Sequence, residues 1–216
     1  FGAGHYDYKN INGGRKNWIP PFETYESNYQ INSYCSDDSL VILNAGDPRI
    51  TMAVGRIPVR SLFEAKIAVD KIIQYETESP LDEWRNRIAF VADDEFATRV
   101  VGDSASVGKE FNHAEDTETL SRYYVPSFLQ QNKIFLSQYP DVITASGRKK
   151  PGASQALINA INGGALILNY FGHGNETVWA HEEILSQTIT LPQLSNRTML
   201  PFLIAATCDF SLYDDP

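Results

Sequence analysis

A histidine between two glycines and a cysteine 35 residues later are the residues of this chain best suited to chemistry. His173 lies in the segment Asn-Tyr-Phe-Gly-His-Gly after the apolar run 165–170, and Cys208 follows the apolar run 200–206. Short apolar runs of this kind predict buried strands. If the two strands are parallel neighbours, both side chains reach the edge of the sheet where open α/β proteins place their sites. An imidazole beside a thiol promotes formation of the nucleophilic thiolate, so the pair predicts a cysteine peptidase or transpeptidase.

Composition narrows the class of protein. The chain has 216 residues with a net charge of −9, and its longest cationic run is Arg148-Lys-Lys150. Nucleic acid is excluded as an expected partner because phosphate binding needs clustered cations. No apolar segment approaches the roughly 20 residues that span a bilayer. Because the sequence starts at Phe1 without Met and stops at Pro216 just after Cys208, we expect it to be an excerpt from a longer protein.

The two cysteines leave an alternative open. Cys35 lies in a polar loop, whereas Cys208 ends an apolar strand, which suggests different roles. A disulfide between them would abolish the proposed thiol chemistry.

The elements predicted around these residues alternate between strands and helices. Ser61-Leu-Phe-Glu64 is a capping box that opens a helix to about Glu76, with a stripe of apolar residues. Asp116 or Thr117 is predicted to cap a second helix, which Pro126 shortens. The remaining predictions are strands at 40–43, 50–54, 88–92, 133–136 and 142–144 and a helix at 154–162 closed by Gly163-Gly164. This order predicts an α/β fold with a mainly parallel sheet flanked by helices.

Two segments carry a resemblance to a known family. Gly163–Trp179 closely resembles the catalytic-histidine segment of the gingipains (peptidase family C25), which are caspase-like cysteine peptidases, and Leu200–Phe210 resembles their nucleophile strand. Val54–Pro58 and Asp70–Glu76 match in kind and order. The resemblance implies a caspase-like, gingipain-type fold, present as a partial fragment. It also implies two parts: residues 1–79 as the end of a first subdomain with its connecting helix, and residues 80–216 as the front of the catalytic subdomain.

Three further segments resemble one subgroup, the sortases of type IX secretion (PorU-type). They are Gly4–Lys9, Ser36–Asp38 and Ala206–Ser211, the last running into Asp214-Asp-Pro216. The resemblance implies an enzyme at the cell surface or outer membrane that removes the C-terminal secretion signal from cargo proteins. It then joins the new carboxyl end to an amine on lipopolysaccharide. The implied partners are such cargo, lipopolysaccharide and outer-membrane secretion components.

The family also implies roles for individual residues. Cys208 is the expected nucleophile and His173 the expected base, and the amides of Gly174 and Cys208 form the oxyanion hole by analogy with caspase-like enzymes. Glu95 falls at the position of the family's glutamate behind the imidazole, and Asp94 is one residue away. An acidic turn or a cation site is an equally open interpretation of these carboxylates.

Substrate and cofactor expectations complete the site. Asp116 falls near a substrate-binding aspartate of arginine-specific gingipains, although an ordinary helix cap is the stronger interpretation. Glu176 and Trp179 follow His173 and are expected in the cleft, with a surface carboxylate and a core indole as the alternatives. His5, His113 and His181 follow no zinc-ligand spacing, so no catalytic metal is expected. No cofactor is required, while structural calcium is possible in the acidic loops at Asp7, Asp37-Asp38 and Asp214-Asp215.

Two other functions stay open on the sequence alone. One is a secreted gingipain-like endopeptidase that cuts after basic residues. The other is a catalytically silent scaffold domain that keeps the fold.

Overall fold

The computed structural model describes residues 1–13, 17–24, 34–44, 46–47, 49–94, 112–210 and 212–214. The chain divides into two compact units, Phe1–Ile73 with Ser211–Pro216, and Gln74–Phe210. The division at residues 79 and 80 implied by the resemblance stays a prediction.

Up to residue 61, the described part of the first unit forms little regular structure. Strand β1 (Phe22–Glu23) pairs antiparallel with β2 (Cys35–Ser36), and a single 3₁₀ turn follows at Asp38–Leu40. Arg56 cross-links this unit: its guanidinium bonds both carboxylate oxygens of Asp37 and donates to the carbonyls of Gly2 and Ile19 at 2.8 Å. The buried Arg56 side chain therefore connects segments of this unit that the short strands do not join.

The strands predicted at 40–43 and 50–54 are wrong. The backbone there forms turns and bends. Thr51 donates to the Val41 carbonyl both from its amide, at 3.1 Å, and from its hydroxyl. The side chains of Leu43, Ile50 and Met52 are 65%, 54% and 55% exposed. These apolar residues meet no sheet face within the described part of the unit, so the pattern did not produce strands.

Helix α1 (Leu62–Glu78) starts where the capping box predicted. Ser61 Oγ accepts from Glu64 N at 3.1 Å, and the Glu64 carboxylate accepts from Arg60 N at 2.7 Å. No residue of α1 is buried, and Leu62 and Phe63 are 87% and 73% exposed. The apolar stripe predicted from the sequence therefore exists but is not covered by the described residues.

The second unit contains the predicted parallel sheet. Its strands are β3 (Arg87–Ala92), β4 (Gln130–Phe135), β7 (Ile167–Phe171) and β10 (Phe202–Ala206), in the spatial order β10-β7-β3-β4 and all parallel. Two short antiparallel hairpins lie outside this sheet: β5 (Val142–Thr144) with β6 (Gly147–Lys149), and β8 (Val178–Trp179) with β9 (Leu185–Ser186).

Helices cover both faces of the sheet. Ile88, Phe90 and Ala92 of β3 pack with residues of helix α2 (His113–Tyr124) and the segment after it. Ala89 and Val91 point to the other face and pack with helix α3 (Pro151–Asn162). This alternation is the period of two expected for a strand buried on both sides. It confirms the predicted α/β class with a mainly parallel sheet flanked by helices.

Helix α2 starts earlier than predicted. Asn112 is its N-cap, and the Asn112 side chain accepts from Glu115 N at 3.1 Å. Asp116 and Thr117 are the fourth and fifth helical residues, so the predicted cap at either of them is wrong. The helix ends at Tyr124, before Pro126, as the missing amide of proline requires.

Candidate active site

The register of the sheet brings His173 and Cys208 to one edge. Phe171, the last residue of β7, is paired with Ala206, the last residue of β10. Gly172 N continues the ladder by donating to the Ala206 carbonyl at 3.2 Å. His173 and Cys208 each follow their paired strand ends by two residues. The two side chains that the sequence singled out therefore leave the sheet from neighbouring parallel strands, at the carboxyl edge.

Three hydrogen bonds hold the backbone of His173. Its amide donates to Asp93 Oδ2 at 3.0 Å. Its carbonyl accepts from the Tyr170 hydroxyl at 2.5 Å and from Ala180 N at 2.8 Å. These bonds tie the residue after β7 to the end of β3 and to the loop after β8, so its position is set by three different segments.

The two glycines beside His173 lie where a side chain does not fit. A Cβ atom at Gly172 would lie 2.4 Å from the Cβ of Asp93 and 2.6 Å from the Tyr170 hydroxyl oxygen. A Cβ at Gly174 would lie 2.5 Å from Thr207 Oγ1. Thr207 precedes Cys208, so the contact with Gly174 also shows how closely the loops after β7 and β10 approach each other.

Two other imidazoles flank the ring of His173. The His113 ring meets it edge to face, with centroids 5.2 Å apart and planes at 84°. The His181 ring lies at the same centroid distance, tilted by 43°. His113 is 4% exposed, whereas His181 is exposed. This arrangement could not be predicted from the sequence because the three histidines follow no recognisable spacing.

Buried carboxylates gather behind the site. Asp93, Asp94 and Glu182 are each 2% exposed. Burial raises the pKa of Asp93, although its carboxylate accepts from the amides of His173 and Asp94. Burial also raises the pKa of Glu182, to about 7, with the nearby Asp94 charge as the second cause. Both effects disfavour the ionised carboxylate.

Two cations neutralise this cluster. Arg148 Nη2 lies 3.2 Å from Asp94 Oδ1 and also contacts Glu182. Lys150 Nζ lies 3.4 Å from Asp94 Oδ2 and 2.8 Å from Asp141 Oδ1. The oxygens of Asp93, Asp94 and Glu182 lie within 4.8 Å of one another, a spacing that also suits a metal ion. Here the positive charge comes from side chains of the chain itself, and we assign no metal to the cluster.

The other predicted site residues are placed as follows. Glu95 lies outside the described residues. Trp179 is completely buried, with its ring stacked on Tyr170 at 4.3 Å, so its indole belongs to the core rather than to a cleft surface. Glu176 is exposed in the loop after His173, and Asp116 is exposed on the first turn of α2.

Both cysteines carry free thiols. Cys208 is exposed and Cys35 is partly buried. The disulfide alternative is therefore wrong in this structure. Cys35 Sγ lies 3.2 Å from Asp214 Oδ1, and burial is the main cause that raises the pKa of its thiol to about 12. Cys208 is thus the more exposed of the two thiols.

The acidic loops that suggested calcium have protein partners. Asp7 accepts from the amides of Ile11 and Asn12 at 2.8 and 2.7 Å. Arg56 pairs with Asp37 and lowers the pKa of that carboxyl.

A cavity of about 510 Å³ lies at the amino ends of β3 and β4, lined by Arg87 and Gln130 among others. It is therefore on the opposite edge of the sheet from His173. Among the residues that the structure describes, no helix combines the length and apolar character needed to cross a membrane.

Comparison with known proteins identifies the family. The model of peptidase family C25 matches residues 1–216, so the chain belongs to this family of cysteine peptidases. Gingipain R2 of Porphyromonas gingivalis strain W83 is 29% identical over 168 residues, covering 76% of this chain and 20% of that protein. Gingipain R1 of Porphyromonas gingivalis is 28% identical over 157 residues, covering 72% and 14%.

Two solved structures share the fold. The crystal structure of the Arg-specific cysteine proteinase gingipain R (RgpB) aligns with a TM-score of 0.57 at 24% identity, covering 79% of this chain and 35% of that one. The complex of Porphyromonas gingivalis RgpB pro- and mature domains aligns with a TM-score of 0.54 at 26% identity, covering 80% and 36%. The gingipain-like fold expected from the sequence is confirmed. The chain spans about a third of these structures and a fifth or less of the curated relatives.

Proposed function

We propose that the chain carries the nucleophile and the base of a cysteine peptidase that works by acyl transfer, with Cys208 and His173 in these roles. The observation that supports this most directly is the pairing of Phe171 with Ala206, because it delivers both side chains to one edge. An exposed, free thiol at Cys208 and membership of a cysteine peptidase family agree with it.

The proposed reaction has two halves. The Cys208 thiolate attacks the scissile carbonyl carbon, and the amides of Gly174 and Cys208 donate to the oxyanion that forms. His173 as imidazolium gives its proton to the leaving amine as the C–N bond breaks, leaving a thioester on Cys208. Water or an incoming amine then attacks the thioester, its proton passes to His173, and the thiolate leaves. Each oxyanion donor is typically worth about 10²-fold or more in rate.

A carboxylate behind the imidazole would hold its tautomer and favour the imidazolium. Glu95 is our candidate, by its position in the family pattern. Asp94 is the weaker of the two because its carboxylate already lies between Arg148 and Lys150. Glu176, exposed after His173, remains our candidate for substrate contact. The reaction as proposed needs no cofactor.

For the substrate, we propose a cargo protein that carries a C-terminal secretion signal. The supporting feature is the resemblance of Gly4–Lys9, Ser36–Asp38 and Ala206–Ser211 to type IX secretion sortases. In this proposal the enzyme acts at the outer face of the outer membrane, and the acceptor that resolves the thioester is an amine on lipopolysaccharide.

An endopeptidase that cuts after arginine is the second candidate. It is favoured by the similarity to the Arg-specific cysteine proteinase gingipain R. Cleavage of arginyl reporter peptides by the full-length protein, without cleavage of a C-terminal secretion signal, would replace the sortase proposal with this one.

The test uses both cysteines of the chain. Cys208→Ala in the full-length protein should abolish cleavage of the cargo signal and the appearance of a lipopolysaccharide-linked carboxyl end, measured by mass spectrometry of cargo. Cys35→Ala is the matched control, and both reactions should persist in it. Cleavage that continues undiminished in Cys208→Ala would refute the assigned nucleophile.

A further inference from the structure

His113 connects the second helix to the candidate base. It is the first residue of α2 and is 4% exposed. Its ring packs edge to face on Phe171, at 4.9 Å and 83°, and on His173, at 5.2 Å and 84°. One buried imidazole therefore touches both the last residue of β7 and the residue that we assign as the base.

The backbone bonds of His173 leave its side chain to be positioned by something else. The contacts with Asp93, Tyr170 and Ala180 fix its amide and carbonyl, but they do not fix the two side-chain torsions. A half-buried ring is held by the surfaces packed against it. Edge-to-face contacts between aromatic rings have a preferred geometry, so they also fix the plane of the ring.

The start of helix α2, which carries His113, is held by a cap and by packing on the sheet. The Asn112 side chain caps the helix that His113 begins, and Asp116 N donates to the Asn112 carbonyl at 3.1 Å. The neighbouring Ala114 packs with Ile88, Phe90 and other residues on the α2 face of the sheet. The His113 ring is thus presented to His173 by an element that is itself anchored on β3 and β7.

We propose that His113 is a positioning residue: the edge of its buried ring holds the His173 imidazole in the plane from which it serves Cys208. This inference rests on the proposed roles of His173 and Cys208. His113 touches neither the substrate nor the sulfur in this proposal; it acts through the orientation of His173.

His181 provides a matched comparison. Its ring centroid lies at the same 5.2 Å from His173, but it is tilted by 43° and the residue is exposed. An exposed ring constrains its neighbour less than a ring fixed in the core. His181 is therefore the control for removing one imidazole from the vicinity of His173.

The experiment measures alkylation of Cys208 by iodoacetamide at pH 6 and at pH 9.5, in the full-length protein with Cys35→Ser. At pH 6 an ordinary thiol with a pKa of about 8.5 is almost entirely protonated, so rapid reaction reports a thiolate stabilised by imidazolium. At pH 9.5 the thiolate forms without help, so the rate there reports access and folding.

Two substitutions at position 113, with a third at position 181 as the control, separate ring packing from other effects. His113→Leu should slow alkylation at pH 6 by about threefold to tenfold, the loss that corresponds to one edge-to-face contact. Its rate at pH 9.5 should stay within about twofold of the parent. His113→Phe, which keeps a flat ring edge, and His181→Leu should both stay within about twofold at either pH.

Each other outcome overturns the inference. A normal rate for His113→Leu at pH 6 removes the positioning role, and equal slowing at both pH values indicates a general structural change. Slowing in His113→Phe would show that the ring edge is not what matters, and slowing in His181→Leu would point to loss of an imidazole in general. If His173→Ala reacts like the parent at pH 6, the proposed function itself fails and the inference falls with it.

Discussion

Gly174 and Thr207 form a contact that limits the side chains the candidate site accepts. A Cβ at Gly174 would lie 2.5 Å from Thr207 Oγ1 and 3.4 Å from Thr207 Cγ2. Thr207 is β-branched, so few other rotamers are available that would move its side chain away from an added Cβ. Its hydroxyl oxygen is buried and has no hydrogen-bond partner among the described residues. The neighbouring threonine, rather than an unusual backbone angle, therefore requires glycine at position 174.

Gly174→Ala should destabilise the protein by about 1–3 kcal/mol, the usual cost of overpacking. Thr207→Ala alone should cost less, because it removes a hydroxyl that has no hydrogen-bond partner in the part of the chain that the structure describes. Combined, the two changes should be clearly less damaging than their sum, which urea unfolding of the four proteins measures. An equal cost of Gly174→Ala with and without Thr207 would contradict the contact.

Asp93 links the ends of two strands. One of its oxygens accepts from the Asp94 amide at 2.8 Å and the other from the His173 amide at 3.0 Å. The first bond is buried and the second is partly buried, and together they join the end of β3 to the loop after β7. Asp93 therefore stabilises the backbone of the site, and neither of these bonds involves the His173 imidazole.

Asp93→Asn should break this link, because the two amides bond different carboxylate oxygens and the substitution replaces one of these oxygens with an NH2 donor. We expect a loss of about 1–3 kcal/mol in the free energy of unfolding. Asp141→Asn is the control, since Asp141 belongs to the same charge network but is 44% exposed. Urea unfolding checks both variants, and a loss no larger in Asp93→Asn than in Asp141→Asn would contradict the assigned link.

The cap of α2 is a second test at the level of elements. Asn112→Ala should cost about 1 kcal/mol because it leaves the Glu115 amide without its acceptor. Asp116→Ala should cost less, since Asp116 is an exposed first-turn residue and its charge interacts with the helix dipole. Thermal unfolding compares the two, and a larger effect at Asp116 would restore it as the cap.

The elements predicted correctly from the sequence are those whose hydrophobic pattern fits only one kind of secondary structure. The runs before His173 and Cys208 are continuously apolar, and such runs next to helices are typical of parallel strands buried on both faces. The cap of α2 was misplaced because Asn112, Asp116 and Thr117 are all good caps, and only the helix start distinguishes them. Residues 40–43 and 50–54 were misread because an apolar pattern alone does not specify a partner.

The cations behind the site could not be predicted. Arg148 and Lys150 belong to a short basic run that looks like a surface feature, yet their side chains are 12% and 5% exposed. The pairing of Arg148 with Asp94 joins residues 54 positions apart through the β5–β6 hairpin. Charge patterning in one dimension does not show such a contact, so the sequence left these carboxylates as either a turn or a cation site.

At the scale of the whole molecule, the buried charges of the two units make stability depend on pH in opposite directions. In the first unit, Arg56 lowers the pKa of Asp37, so the stabilisation it gives is present near neutral pH and is lost as the pH falls through the lowered pKa. In the second unit, burial raises the pKa of Asp93 and of Glu182. The folded state there favours the protonated acids, so stability is lost as the pH rises.

Glu182 sets the window for that second effect. Burial raises the pKa of Glu182 from 4.5 to about 7. The stability that goes with its protonated form is therefore fully present below about pH 4.5 and is lost as the pH rises through 7. The melting temperature of the second unit should therefore fall between pH 5 and pH 8. Glu182→Gln resembles the protonated acid at every pH, so it should melt close to the parent at pH 5 and above it at pH 8.

Glu183→Gln is the matched control for this prediction. Glu183 is the next residue, but its side chain is 41% exposed and pairs with Lys149 at 2.8 Å. Water screens an exposed charge, so removing it should leave the fall between pH 5 and pH 8 close to that of the parent. Thermal unfolding at the two pH values tests the prediction. If Glu182→Gln loses as much stability between pH 5 and pH 8 as the parent does, the buried acid does not cause the fall, and the Arg148 contact compensates its charge fully.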